Sequence, residues 1–397
     1  MRLAPQHRIY AVFFLFAISM GALLSRLPDL QEKLGVTESQ LGLTLIGMSI
    51  GSLISLTLSA PLIARLGART TAFVTVFGTT AIYAIIPWLP AAPAVFAALF
   101  LAGLLAGALE INVNIETDRI EAQLGKRIMN RAHGFWSLGF FVTALIGAGV
   151  RQAEISMQVH VGTVFVLVLV FGLVFISGIT NAPERADAHP DAAHRFSFPT
   201  LGLLPLCLIA VAALLVEGAG IDWSAIYMRD IWHVAPFIGG MGLTLFAGCM
   251  AAVRLSIDPI VDRFGPRAVV TALLAICAGG VLLVGFAPNP YLALIGFALM
   301  GAGSSGVYPL AVSAAAQRTD RPAAVNVAAL GQISFVVFFL GPPLLGFVAQ
   351  YLGIRNSYLI VLPILLAGLL VVRALATRQT TTRGPHLPEE APTSIHG

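Results

Sequence analysis

An acidic side chain lies within an apolar stretch of this sequence that is long enough to cross a lipid bilayer. Glu110 belongs to the run 94–117, and Asn114 and Asp118 follow at four-residue intervals, which places the three side chains on one helical face. Ionisable groups are costly inside a bilayer and are therefore candidates for function. A carboxyl in that position can bind a proton and release it again. We expect Glu110 and Asn114 to contact a proton or a polar solute, the alternative being a structural bond to a neighbouring helix.

Further polar side chains in other apolar runs are candidates for the same site. Glu217 either lines a cavity or stabilises a break in its helix at Gly218–Gly220. His133 and Trp136 share one helical face, and an imidazole can relay protons because it titrates near neutral pH. The alternative for His133 is a packing role near the water interface. Three uncharged residues complete the candidate set: Ser305, Tyr308 and Gln332.

The elements that must position these residues are predicted to be membrane-spanning helices. The 397-residue chain is 57% hydrophobic and 11% charged, with a mean hydropathy of +0.88, and so little charge cannot cover a soluble protein. A helix needs about 20 apolar residues to cross a bilayer. Twelve such runs lie near 9–27, 41–64, 71–89, 94–117, 132–152, 159–179, 199–222, 236–257, 268–287, 290–316, 326–350 and 355–376. Their length and continuity predict an all-α membrane protein with twelve transmembrane helices rather than strands.

The twelve predicted spans divide into two equal groups around one polar interior stretch. Residues 181–198 contain prolines, charged residues and histidines, which predicts a cytoplasmic linker. The linker separates an N-terminal six-helix bundle, residues 1–180, from a C-terminal six-helix bundle, residues 199–376. The proline-bearing stretch 377–397 is predicted to be a disordered cytoplasmic tail.

The positions of the basic residues predict the orientation in the membrane. With both termini cytoplasmic, most of the 23 lysines and arginines lie on the inside, as the positive-inside rule requires. The outside loops then hold only Arg26, Lys33, Arg151, Arg229 and Arg355. We expect a multi-pass protein of the plasma membrane, with a bacterial inner membrane favoured. The pI of 9.2 is attributed to this topology rather than to nucleic-acid binding.

Motifs of enzymatic chemistry are missing from the sequence. It has no GxxxxGK[ST] loop for ATP and no HExxH or CxxC arrangement, and its one GxSxG match, at residues 47–51, lies inside the apolar run 41–64 rather than at a turn between a strand and a helix. We therefore expect no enzyme activity, no cofactor and no metal site, and we expect a proton gradient rather than ATP as the energy source. Nothing in the sequence demands a dimer, so a monomer is expected.

A short basic motif occurs once in each half of the chain. The two copies, each preceded by Gly-Leu-Thr-Leu in the helix before it, read Arg65-Leu66-Gly67-Ala68-Arg69 and Arg263-Phe264-Gly265-Pro266-Arg267. Each copy lies in a short turn between two spans, where glycine is needed if the backbone takes a positive φ. Two hydrophobic halves repeated in parallel are typical of carriers built from two like bundles.

The second copy resembles the Gly-x-x-x-Asp-Arg-x-Gly-x-Arg pattern that the major facilitator superfamily carries between spans 2–3 and 8–9. It matches at Asp262, Arg263, Gly265 and Arg267, whereas the first copy has Ala64 at the acidic position. The resemblance covers essentially the whole chain and implies a secondary transporter that works by alternating access. It implies that Asp262 helps to latch the cytoplasmic side, with topology anchoring as the alternative role. The gating residues implied by the motif are Arg65, Gly67, Arg69, Asp262, Arg263, Gly265 and Arg267.

A narrower resemblance concerns span 7. The stretch Glu217-Gly218-Ala219-Gly220-Ile221-Asp222-Trp223-Ser224 is similar to one in poorly characterised bacterial inner-membrane carriers. The fucose–proton symporters of the same superfamily are similar in having an acid on span 4, where this chain has Glu110. Asp222 is expected to pair with Arg26, at the matching end of span 1, and so to form an outer gate.

The charged groups expected within the spans are mainly acidic. They include no lysine, and Arg254, toward the cytoplasmic end of span 8, is the only arginine near a span interior. A carrier of organic anions would need buried cations, so a small polar solute, neutral or cationic, fits better. Its proton-coupled transport, with Glu110 as the proton site and Glu217 as a second candidate, is the leading interpretation. Proton-driven efflux of drugs or metabolites is the second interpretation, and a multi-spanning enzyme or receptor is the third.

Overall fold

The computed structural model describes residues 3–125, 128–180 and 198–375. All regular structure in those ranges is helical, and twelve helices are long and apolar enough to cross a membrane. Numbered as spans 1 to 12, they are Pro5–Leu24, Glu38–Leu58, Ala60–Trp88, Ala92–Leu124, Arg131–Gln152, Met157–Ile176, Leu204–Trp232, Pro236–Ser256, Asp258–Phe286, Pro290–Ala316, Val325–Leu352 and Ile354–Leu375. The predicted all-α, twelve-span architecture is confirmed. The predicted linker 181–198, except Phe198, and the tail 377–397 lie outside the described residues.

Two spans are composite, and one short helix lies between spans. Span 10 consists of Pro290–Ser304 and Val307–Ala316. Span 12 consists of the helices Ile354–Leu359 and Leu362–Val371 and a final 3₁₀ turn. The helix Leu27–Leu34 connects spans 1 and 2. The interruption of span 10 lies at Ser305 and Gly306, near the middle of the protein.

The helix ends follow from local sequence. A proline occupies the first turn of most spans, where its missing N–H would have no helical partner in any case. Span 2 begins at a reciprocal cap, in which the Thr37 hydroxyl accepts from the Gln40 backbone and the Gln40 side chain accepts from the Thr37 backbone. Ser156 caps span 6, and Asn289 caps span 10 with an Oδ1–N distance of 3.0 Å to Leu292.

The two basic motifs form the turns that the sequence predicts. Gly67 has a φ of 75° and Gly265 a φ of 78°, and each interrupts the helical geometry near the start of its span, at a kink within span 3 and within span 9. An L-residue with a side chain is disfavoured at such angles, so glycine is required at both positions. The equivalence of the two turns agrees with the repeat of the motif in the two halves.

Glycines bring several spans into close contact. A β-carbon built at Gly47 would lie 2.5 Å from the Phe96 carbonyl oxygen, and one at Gly107 would lie 2.7 Å from the Ser52 carbonyl oxygen. Spans 2 and 4 therefore pack with their backbones adjacent. In the C-terminal half, a β-carbon at Gly303 would lie 2.6 Å from the Leu273 carbonyl oxygen. Within a bilayer the hydrophobic effect does not drive helices together, and small residues allow the close packing that stabilises such contacts instead.

The loops gather at two opposite faces of the helix bundle. We call the face where span 1 begins the terminal face, and the opposite face the distal face. Distal loops bond to one another: Lys33 Nζ donates to the carbonyls of Pro87 at 2.6 Å and Leu89 at 2.8 Å. The two six-helix bundles contact each other mainly through span 2 against span 11 and span 5 against span 8. These two pairs therefore decide which face gives access to the space between the bundles.

The close backbone contact at Gly303 predicts a clear stability difference. Gly303→Ala places a methyl group against span 9, and we expect a loss of roughly 1–3 kcal/mol and a lower unfolding temperature in detergent. The matched control is Gly279→Ala, because a β-carbon at Gly279 has nothing within 4 Å. Helix propensity favours that control by about 1 kcal/mol. Equal unfolding temperatures for the two variants would contradict the packing described here.

Candidate functional site

A half-buried arginine links four spans near the middle of the protein. Arg254 of span 8 pairs with Glu217 of span 7, and its Nη2 lies 3.2 Å from Oε2 and 3.3 Å from Oε1. Its Nε donates to the Ser305 carbonyl of span 10 at 3.1 Å. Its Nη1 donates to the Ser137 hydroxyl of span 5 at 3.2 Å. One guanidinium thus joins three spans of the C-terminal bundle to one of the N-terminal bundle.

The ion pair changes the interpretation of Glu217. Only 8% of this residue is exposed, and an unpaired charge so deep would be strongly unfavourable, whereas a paired and hydrogen-bonded one is tolerated. The helix Leu204–Trp232 is continuous through Gly218–Gly220, so the expected break at these glycines is not there. Glu217 therefore neutralises Arg254 in this conformation.

Glu110 has a different environment. Its side chain is exposed, and its Oε1 accepts a hydrogen bond of 2.8 Å from Asn114 Nδ2. It lies near enough to His133 of span 5 and Tyr308 of span 10 to interact with both electrostatically. Glu110 consequently faces the space between the bundles rather than lipid. No cation pairs with it among the described residues.

The remaining candidate residues surround this space to different extents. His133 interacts electrostatically with Arg254 as well as with Glu110, and Trp136, one turn further, stacks on Phe140 with ring centroids 5.4 Å apart. Tyr308 is half-buried and interacts with Ser334 of span 11. The two other uncharged candidates are Ser305 and Gln332. The Ser305 hydroxyl bonds to the Ala302 carbonyl, and Gln332 is half-buried on span 11.

Four charged or titratable groups form a continuous series across the bundle interface. The order is Glu110, His133, Arg254 and Glu217, with the first two on the N-terminal bundle and the last two on the C-terminal bundle. Sequence reasoning did not include Arg254 in the site because the residue lies near the end of its apolar run. The available signal was the presence of one arginine and one acid in adjacent spans, since a lone arginine in a span requires a partner.

Polar contacts between the bundles close the distal side. Arg229 of span 7 donates to the Pro28 carbonyl at 3.0 Å and to Gln31 Oε1 at 2.7 Å. Ser39 bonds to Gln350, and the Phe237 N–H donates to Gln152 Oε1 at 3.1 Å. A β-carbon at Gly42 would lie 2.5 Å from the Pro342 carbonyl oxygen, so spans 2 and 11 are also in close contact. These contacts hold the two bundles together on the distal side in this conformation.

The expected pair of Arg26 and Asp222 is not present. Arg26 instead pairs with Asp29, three residues away, and donates to the Ile155 carbonyl at 2.9 Å. Arg151 Nε contacts the other oxygen of Asp29 at 2.6 Å. The local helix Leu27–Leu34 supplies a closer acid than span 7 does, because Asp29 pairs with both Arg26 and Arg151. Asp222 has no hydrogen-bond or ion-pair partner within the described part of the chain.

The motif side chains point away from the protein in this conformation. Arg65, Arg69, Asp262, Arg263 and Arg267 are all exposed. Two of the arginines lie over aromatic rings, Arg69 over Phe73 at 5.8 Å and Arg263 over Phe264 at 5.2 Å. Asp262 forms no ion pair among the residues that the structure describes. A latch at Asp262 would therefore require another conformation, and that role stays a prediction.

The Arg254–Glu217 pair predicts a non-additive effect on stability. Arg254→Gln or Glu217→Gln alone leaves an unpaired charge, which costs roughly 3–5 kcal/mol, so each should lower the unfolding temperature strongly. The double variant should recover part of that loss. Arg318→Gln is the control, since it removes a partly exposed arginine paired with Asp320 and should change little. Strictly additive losses, or a stable Arg254→Gln protein, would contradict the pairing.

Comparison with known proteins places these features in a wider context. The chain is 29% identical over 379 residues to an uncharacterized transporter, y4wD, of Sinorhizobium fredii, covering 95% of this chain and 99% of that protein. It is 27% identical over 376 residues to an uncharacterized MFS-type transporter of Yersinia pestis, covering 94% of each. The membrane protein MosC of Rhizobium meliloti is 23% identical over 359 residues, covering 89% of this chain and 85% of that protein.

Solved structures have the same fold at low sequence identity. The Escherichia coli fucose:proton symporter superposes with a TM-score of 0.66 at 18% identity, covering 94% of this chain and 99% of that one. The nucleoside transporter NupG gives 0.72 at 12% identity, covering 94% and 100%. Two stretches of the present chain, residues 9–219 and 206–396, match the sequence profile described as Major Facilitator Superfamily. With twelve helical spans and this match over nearly its whole length, the protein belongs to the Major Facilitator Superfamily and is a membrane transporter rather than an enzyme.

Proposed function

We propose that the protein carries a small polar solute, neutral or cationic, by alternating access and in exchange with or together with protons. The observation that carries this proposal is the charge of the space between the bundles. Arg254 is neutralised by Glu217, whereas Glu110 is exposed and accepts only an amide hydrogen bond. The net charge at the site is therefore negative, which favours a positive or neutral ligand over an anion.

Glu110 is the proposed site of proton coupling. In the present conformation its carboxylate is accessible from the terminal face, because the distal side is closed by bundle contacts. Opening of the distal side with closure of the terminal side would expose it to the other compartment. A carboxyl that meets the two compartments in turn can transfer a proton between them. His133, between Glu110 and Arg254, would relay this protonation to the C-terminal bundle.

Solute recognition is assigned to the acceptors and aromatic surface near Glu110. Asn114 Oδ1 is buried and has no hydrogen-bond partner among the described residues. A buried acceptor without a partner is unfavourable, so a solute that donates hydrogen bonds would relieve it. Hydroxyl and ammonium groups meet that requirement, whereas carboxylates do not. Trp136, one turn beyond His133 on span 5, would offer an apolar ring to the solute.

The orientation and setting complete the proposal. The terminal face is taken as cytoplasmic and the membrane as a bacterial inner membrane, because basic residues are concentrated at that face. Few cations lie at the distal face, and each bonds to a carbonyl or an acid: Arg26, Lys33, Arg151, Arg229 and Arg355. A monomer suffices for this mechanism. Asp262 would latch the terminal face in the opposite conformation.

The proposal predicts solute-dependent proton movement that requires Glu110. Purified protein in liposomes containing a pH-sensitive dye would be challenged with sugars, cyclitols, small amines and lipophilic drugs. At least one sugar, cyclitol or amine should cause a pH change inside the liposomes, and Glu110→Gln should abolish it while the solute still binds in a thermal-shift assay. The matched control is Glu154→Gln, which alters an exposed distal acid and should behave like the wild type.

Two outcomes would contradict parts of this proposal. Unchanged solute-driven proton movement in Glu110→Gln would remove Glu110 as the proton site. Responses limited to lipophilic drugs would favour efflux over transport of a small polar solute.

A further inference from the structure

Asp222 is an acid within span 7 that no contact explains. The residue is deep in the protein, yet part of its surface remains accessible to water. It has neither a hydrogen-bond nor an ion-pair partner among the described residues, although its own helix also carries the fully paired Glu217. The two acids of span 7 thus have opposite situations. Glu217 is neutralised by Arg254, whereas Asp222 has no cationic partner among the described residues.

Asp222 belongs to a stripe of partly exposed residues that runs along one face of span 7. Val211, Gly218, Asp222 and Arg229 are partly exposed and recur at helical spacing, in a span that is otherwise largely buried. A β-carbon at Gly218, one turn from Asp222, would have nothing within 4 Å. At the distal end of the stripe, Arg229 bonds to the Leu27–Leu34 helix of the other bundle. Asp222 therefore lies in the gap between the bundles, just inside the distal closure.

The cations on and around span 7 do not compensate Asp222. Arg229, Arg254 and Arg355 all donate to other groups. Tyr358 of span 12 is the titratable group that interacts electrostatically with Asp222, and its hydroxyl donates to the Ala219 carbonyl. The other charged or titratable groups on elements packed against span 7 are Asp29, Glu32, Lys33, Cys249, Tyr291, Tyr308, Tyr351 and Arg373. A negative charge on Asp222 would therefore be uncompensated whenever the distal side is closed.

We propose that Asp222 is a second proton-binding site of the transport path, loaded from the distal side. When the distal contacts open, water reaches the carboxyl, which can then exchange its proton with that compartment. When they close, desolvation favours the neutral, protonated form because no cation is available. Proton binding at Asp222 and closure of the distal side therefore promote each other. This inference rests on the proposed proton-coupled transport and deepens it by adding a second site.

The sign of the effect on conformation follows directly. Acidic conditions protonate Asp222 and favour the distal-closed conformation described here, and alkaline conditions favour distal opening. Asp222→Asn removes the titration and keeps the residue neutral, so that variant should stay closed at every pH. Asp222→Glu keeps a carboxyl and should keep the pH response. The distal contacts themselves, through Arg229 and Gln31, do not contain Asp222 and remain intact in both variants.

The test is a distance measurement across the distal face. Spin labels are attached to cysteines at Ala153 and Leu352, both exposed and on different bundles, after the three native cysteines are replaced. Distances are measured in lipid nanodiscs over a series from acidic to alkaline pH. We expect the wild type to shift toward the longer distance at high pH, Asp222→Asn to lose this shift, and Asp222→Glu to retain it. Unfolding temperatures of all variants establish that they are folded.

A parallel set of variants separates this inference from the proposed function. Glu110→Gln should still show the pH-dependent distal opening, because it leaves Asp222 unchanged, even though its coupled transport is lost. His160→Gln, which removes a buried distal imidazole, should also retain the opening. A wild-type pH response in Asp222→Asn, or the absence of any pH response in the wild type, would overturn the assignment. If Glu110→Gln lost the pH response and Asp222→Asn retained it, the group that controls distal opening would be Glu110 rather than Asp222.

Discussion

The ion pair between Arg254 and Glu217 is the interaction on which the interior of this protein depends. A guanidinium inside a membrane protein must have a counter-charge and acceptors, because the surroundings cannot solvate it. Arg254 obtains these from spans 5, 7 and 10 at once. The pair therefore fixes the relative positions of four spans. It also sets the charge at the centre, because Glu217 cancels Arg254, whereas Glu110 and Asp222 have no cationic partner among the described residues.

The distal side is closed by a different kind of interaction. Its glycines allow spans of the two bundles to approach at van der Waals distance, and its polar side chains bond across the interface. None of these bonds is a salt bridge between the bundles, and neutral or singly charged bonds at a wet surface are individually weak. A surface held by many weak contacts can separate without exposing an unpaired buried charge. That property suits a region that must open and close during transport.

Much of the fold follows from the sequence because bilayer crossing imposes a strong pattern. The length of the apolar runs predicts the spans, and the need for a positive φ at Gly67 and Gly265 predicts the two turns. Partner choice among charged groups is not predictable in the same way. Arg26 was expected to reach Asp222, yet Asp29 lies three residues away on a local helix. Arg254 was placed at a span end, but its long side chain reaches Glu217 in the adjacent span. Such choices depend on side-chain reach and helix packing, which a single sequence does not encode in any short-range pattern.

The central claim is that the space between the bundles has a net negative charge because Glu217 cancels Arg254. A matched ligand series tests it directly: glucosamine, glucose and glucuronate share a ring and differ in charge. Their binding would be measured by thermal shift at high concentration in the wild type and in Glu217→Gln. The account predicts that the wild type is stabilised more by glucosamine or glucose than by glucuronate, and that Glu217→Gln gains a response to glucuronate because Arg254 is released. Preferential stabilisation of the wild type by glucuronate would contradict it.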